Sequence, residues 1–138
     1  MDVKNKRVIV TGAASGIGKA LCEAFHQAEA KSVIAVDINL DGAQETADSV
    51  DGIAVKANVG NEKDIINLIE KADEHVGGID IFCSNAGIGG VPGFFEVKAS
   101  DWQNIWDVNV QSHIFAAKHA LPQMIERGEG YLVNTSSA

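Results

Sequence analysis

Thr11-Gly12-Ala13-Ala14-Ser15-Gly16-Ile17-Gly18 follows directly on the β-branched run Val8-Ile9-Val10 and precedes a stretch whose apolar residues recur every three or four positions. A strand, a glycine-rich turn and a helix in that order make a phosphate-binding arrangement. Gly12 would permit the tight turn out of the strand, Gly16 would let the backbone approach a pyrophosphate, and Gly18 would let the helix pack closely on the sheet. The helix N-terminus then offers unpaired N–H groups and the positive end of its dipole to an anion. Ser15 is equally suited to capping the helix or binding phosphate. Asp37 stands 19 residues beyond Gly18, at the end of a second β-branched run. A carboxylate there can accept hydrogen bonds from the 2′ and 3′ hydroxyls of an adenosine ribose and would repel a 2′-phosphate. Neither Ile38-Asn39-Leu40 nor Ala13-Ala14-Ser15 offers a cation for such a phosphate. Both observations favour NAD over NADP.

Other polar residues stand where strands end or a helix continues. Asn58-Val59 closes a third β-run, and Asn85-Ala86-Gly87 follows a fourth. Asn and Gly favour left-handed backbone, so the second of these also reads as a plain turn. Asn109 lies inside the helical pattern Trp106–Val110, where asparagine has a mediocre propensity. Asn134-Thr135-Ser136-Ser137 reads as a polar strand end.

The elements that must position these residues alternate along the chain. Strands are expected over Arg7–Thr11, Ser32–Asp37, Gly52–Ala57, Ile79–Cys83 and Tyr131–Thr135. Helices are expected over Gly16 to about Glu29, with Ile17, Ala20, Leu21, Ala24 and Phe25 on its apolar stripe, and from Asp41 to about Val50. A third follows an Asn61 cap and carries Ile65, Ile66, Leu68, Ile69, Ala72 and Val76 up to Gly77. A long one is capped by Ser100 and ended by Gly128, with Pro122 expected to kink or shorten it. Strands separated by helices imply right-handed βαβ units. The expected fold is α/β: a Rossmann-like, doubly wound parallel sheet of about five strands in the order 3-2-1-4-5, forming one domain over residues 1–138.

The spacing Gly-x-x-x-Gly-x-Gly, preceded by Thr11 and joined by Asn85-Ala86-Gly87 and Ser136-Ser137, resembles the short-chain dehydrogenase/reductase family. The resemblance implies an NAD-dependent oxidoreductase that transfers hydride between nicotinamide and an alcohol or ketone substrate. It places Gly12, Ser15, Gly16, Ile17, Gly18, Asp37, Asn58, Val59, Asn85, Ala86 and Gly87 at the cofactor. Asn58-Val59 stands where relatives carry Asp-Val beside the adenine, keeping a hydrogen-bonding carbonyl and losing the charge. Asn109 matches an asparagine of a water-linked proton relay, and Ser137 the serine that binds the substrate oxygen. Ser136 is the weaker candidate.

The family's proton donor is the tyrosine of a Tyr-x-x-x-Lys segment beyond that serine, and here only Ala138 follows Ser137. Tyr131 begins a strand and has no lysine four residues on. The resemblance therefore covers nearly all of this chain but about half of a typical member. The expectation is the C-terminally incomplete, N-terminal portion of a longer enzyme, inactive alone, marginal in stability and self-associating at an open fifth strand. A truncated nucleotide-binding or interaction module is the alternative. Relatives build a subunit interface on the long helix, which implies a homo-oligomer, dimer or tetramer.

Composition narrows the rest. Hydrophobic residues make up 46% and charged residues 22%, ordinary for a globular chain, and the formal charge is −8. That balance argues against a nucleic-acid or anionic-membrane surface, both of which need clustered Lys and Arg. Cys22 and Cys83 lie in apolar segments and read as buried thiols, and no metal site is expected. The N-terminus carries only a three-residue apolar run, too short for a signal peptide or membrane span, so a cytoplasmic location is expected. Phe94 and Phe95 are candidates for an apolar substrate wall or for packing, and Trp102 and Trp106 for core or interface.

Overall fold

The computed structural model describes residues 2–90, 93 and 95–136. In chain order the elements are β1 (Arg7–Thr11), α1 (Gly16–Gln27), β2 (Ser32–Asp37), α2 (Leu40–Ser49), β3 (Ile53–Lys56), α3 (Glu62–Val76), β4 (Ile81–Ser84), α4 (Ala99–Trp106), a π-helical turn (Asp107–Gln111), α5 (Ser112–Arg127) and β5 (Tyr131–Asn134). The five strands are all parallel, as the alternation of strand and helix patterns requires, and stand in the Rossmann order β3-β2-β1-β4-β5.

Successive side chains of a strand point to opposite faces, so a consecutive apolar run is what a sheet buried on both sides needs. Val8, Val10, Val33, Ala35, Ile81 and Cys83 face α1 and α2, where Cys22 and Ala47 meet them. Ile9, Ile34, Val36 and Phe82 face the other way, onto Ile65, Leu68, Ile69 and Ala72 of α3 and Ala116, Ala120 and Met124 of α5. Asn61 caps α3 by accepting the Lys63 N–H (2.9 Å), and Gly77 ends it in left-handed backbone at φ +78.

Three helix features differ from the sequence pattern. In α1 the buried face is Gly18 and Cys22, one turn apart, with Leu21 and Phe25 partly buried, while Ile17, Ala20 and Ala24 are turned to solvent. Gly18 sets this phase, because only a residue without a side chain can rest on the Gly12 carbonyl. The cap of α4 is Lys98, not Ser100: Asp101 reaches back to accept the Lys98 N–H (2.8 Å). Pro122 does not shorten α5, which runs to Arg127 before Gly128 ends it. Its last turn is held by buried Met124 and by Gln123, which accepts the Ile79 N–H (3.2 Å).

An ionic cluster closes the amino-terminal end of the sheet. Asp80 Oδ2 accepts from the Arg7 N–H (2.9 Å) and Nε (2.8 Å), and Oδ1 from Arg7 Nη2 (2.6 Å). Arg127 stands 3.6 Å from the same carboxylate and also bonds the Ile79 carbonyl. The Arg7 guanidinium holds the Asp80 carboxyl at about 2, against the desolvation that would raise it. Cys22 and Cys83 are buried and unbridged, and burial pushes both thiols up to about 12.

β5 is an edge strand among the described residues. Leu132 packs on the α3–α5 core while Tyr131 and Val133 are exposed. Trp102 and Trp106 are half-exposed and so do not belong to the core, and Phe95 is fully exposed.

Candidate functional site

Parallel strands deliver their carboxyl ends to one rim of the sheet, and the crevice there is where an open α/β sheet binds ligands. β1 leaves the sheet at Thr11 and turns at Gly12, whose φ is +71. A Cβ on Gly12 would stand 2.9 Å from the Ala86 Cα, so the close approach of the β1 and β4 loops requires glycine. Gly16 takes φ +54 with open space around it, which leaves the backbone accessible at the start of α1. Ser15 occupies the N-cap position in extended backbone, yet its side chain caps nothing. The first bond back along the helix runs from the Lys19 N–H to the Ser15 carbonyl (3.2 Å), and the N–H groups ahead of it point out of the helix.

Asp37 stands at the end of β2. One carboxylate oxygen accepts the Ala14 N–H and the other the Asn39 N–H, both at 3.0 Å. The carboxylate therefore ties the glycine turn to the loop entering α2 and retains lone pairs for further donors. Asn58 folds into a turn by accepting the Gly60 N–H (3.0 Å), while its own N–H bonds Asp64 of α3 (2.8 Å). Among the described residues no acceptor takes the Val59 N–H. Gly12, Asp37, Asn58, Val59, Ala86 and Gly87 together line a cavity of about 220 Å³, joined by Ile38 and Ile88.

Beneath this cavity lies a polar knot. The Thr11 hydroxyl donates to the Cys83 carbonyl (3.3 Å) and accepts the N–H groups of Asn85 (3.0 Å) and Ala86 (3.1 Å). The Asn85 side chain donates to the Thr11 carbonyl (3.1 Å) and accepts from the Thr135 hydroxyl (3.0 Å). Three strand ends are thereby locked in register. Asn109 sits in the π-helical turn, and its amide clasps Ile88 at both backbone positions, each bond 2.8 Å long. A π turn inside a helix often marks a functional position. A second cleft of about 690 Å³ opens on the β5 side, between Asn85–Ile88, Asn109, His113 and Asn134–Ser136. Ser137 lies outside the described residues.

The sequence pattern of the short chain dehydrogenases matches residues 6–138. The chain belongs to that family. Glucose 1-dehydrogenase 2 of Bacillus subtilis (strain 168) is 35% identical over 143 residues, covering 99% of this chain and 55% of the relative. Uncharacterized oxidoreductases of Staphylococcus aureus strains MRSA252 and USA300 are 34% and 33% identical over 136 residues, covering 96% of this chain and 58% of each relative. The chain thus spans a little over half the length of the curated relatives it matches. Short-chain dehydrogenases work with NAD or NADP as a group. Among the described residues, no three His, Cys, Asp or Glu are grouped to hold a metal ion, and no helix is long and apolar enough to cross a membrane.

The part Thr11 plays is not evident from the glycine motif. A hydroxyl at the end of an otherwise apolar, doubly buried strand was the available signal, since such a group must find partners. The π turn left no signal, because Asp107–Gln111 holds no Gly or Pro to mark a change of helix type.

Proposed function

We propose that the chain carries the cofactor half of an NAD-dependent oxidoreductase acting between nicotinamide and an alcohol or ketone, as a single dinucleotide-binding domain. The observation that carries this reading is the Asp37 carboxylate at a cavity whose described lining contains no Lys or Arg. In this reading the outward N–H groups at the start of α1, with Ser15, take the pyrophosphate. Asp37 accepts the ribose hydroxyls, and the Val59 N–H and the Asn58 side chain meet the adenine edge. Asn85, Ala86 and Gly87 let the backbone run beside the second ribose, and exposed Ile17 offers an apolar surface towards the nicotinamide. The bound dinucleotide would supply hydride chemistry. Ser137 would hold the substrate oxygen, and Asn109 would serve the proton relay while keeping the Ile88 segment against the second cleft. The half-exposed Trp102 and Trp106 favour a homo-oligomer.

The test is a fluorescence titration of NADH against NADPH. NADH is expected to bind at least about tenfold more tightly, the factor equivalent to about 1.4 kcal/mol of like-charge penalty. Asp37→Ala should relax that preference, and unchanged discrimination would sink the assignment. A panel of secondary alcohols with NAD, followed by NADH absorbance, tests the alternative. Turnover excludes a nucleotide-binding module, whereas NAD affinity without turnover is expected of both that module and a cofactor half without its proton donor.

A further inference from the structure

One buried hydroxyl on α2 has no part in the site as described. Thr46 is fully buried, and its Oγ1 donates to the Ala13 carbonyl at 2.8 Å. Ala13 is itself fully buried, and its N–H donates to the Val36 carbonyl at 3.0 Å. The next N–H, that of Ala14, is taken by Asp37. The two peptide groups that follow Gly12 are therefore gripped from β2 on one side and from α2 on the other.

The reach from α2 depends on Gly42, one helical turn before Thr46 and on the same face of the helix. A Cβ on Gly42 would stand 2.8 Å from the Ala14 Cβ. With no side chain there, α2 lies against the turn closely enough for the Thr46 hydroxyl to meet the Ala13 carbonyl.

We infer that Thr46 is a positioning residue for the glycine turn: it fixes the Ala13 carbonyl so that the N–H groups at Gly16–Gly18 are aimed at a pyrophosphate. This rests on the dinucleotide reading of the site. Removing the hydroxyl while keeping the shape leaves a buried carbonyl without a donor, and the turn relaxes to find water.

Thr46→Val and Thr46→Ser are the informative pair, read by amide hydrogen exchange and by the affinities for ADP-ribose and adenosine. Thr46→Val should speed exchange at Ala13 and Ala14 about tenfold relative to the amides of β1 and β4. It should weaken ADP-ribose by a similar factor and leave adenosine, which has no phosphate, unchanged. Thr46→Ser should restore both. Exchange at Ala13 and Ala14 that is unchanged, or that rises no more than in β1 and β4, overturns the inference, as does unchanged ADP-ribose affinity. If the unsubstituted protein binds neither ligand, the dinucleotide reading falls, and the exchange arm still decides whether Thr46 holds the turn.

Discussion

Asp80→Asn isolates the ionic cluster at the amino-terminal end of the sheet, because it keeps the side-chain shape and removes the charge. Asp80 is 7% exposed and accepts three hydrogen bonds from Arg7. A carboxyl held at about 2 in the folded chain, against an ordinary 3.8, contributes about 2 kcal/mol at neutral pH. The substituted amide can still accept the Arg7 N–H, but its NH2 group confronts a guanidinium. Leaving one member of a buried pair uncompensated costs roughly 3–5 kcal/mol. Arg7 keeps a partial path to water, so the expected loss lies between the depressed carboxyl's contribution and the bottom of that range, about 2–3 kcal/mol. The sign follows from the depressed value. The contribution is complete above the unfolded carboxyl's range, near pH 4, and drains away as pH falls towards about 2. Urea titrations at several pH values should therefore show a wide gap between parent and variant at pH 7 that narrows steadily below about pH 4. A gap below about 0.5 kcal/mol at pH 7, or one that stays constant down to about pH 2, would refute the argument.

Two further outcomes follow from the packing. Gly18→Ala sets a methyl group on the Gly12 carbonyl, so α1 must lift from the turn; a loss of about 2 kcal/mol or more by calorimetry, with weaker ADP-ribose binding, is expected, and an unchanged melting temperature would contradict it. Cys22 and Cys83, buried with thiols near 12, should resist a disulfide reagent at pH 8 and both react once the chain is denatured; fast labelling of the native protein would place one of them at the surface.

β1 and β2 are legible to the residue because each is centred on an unbroken apolar, mostly β-branched run that must be covered on both faces. Asp37 is legible because its distance from the glycine turn is set by one βαβ unit. The gathering of Gly12, Asp37, Asn58 and Ala86 around one cavity follows from the strand order, which the dinucleotide-type glycine turn points to and the alternation of patterns alone does not. The phase of α1 is hidden because a long-range backbone contact, Gly18 on Gly12, overrides the apolar count that favours Ile17. The cap of α4 is hidden because Lys98 contributes through its backbone, with Asp101 reaching back to it. Pro122 does not end α5, because the breaking tendency of one residue is opposed by the burial of Ala116, Ala120 and Met124 around it. Thr46 looks like any helix threonine until α2 is docked. Tertiary contact decides each of these except the α4 cap, which is a local bond, and periodicity reports neither.

The parallel sheet gives its two rims unlike duties. Arg7, Asp80 and Arg127 hold the elements together at the amino ends, while the glycine turn, Asp37 and the Asn85 knot present their chemistry at the carboxyl ends. A strand of four or five residues separates them by about 13–17 Å, beyond the roughly 7–10 Å within which substitutions usually couple. Substitutions at one rim should then add to those at the other without coupling. The lining of the crevice can therefore be varied without disturbing the ionic cluster at the far rim, provided that the Thr11–Asn85 knot, which holds the strand ends in register, is kept.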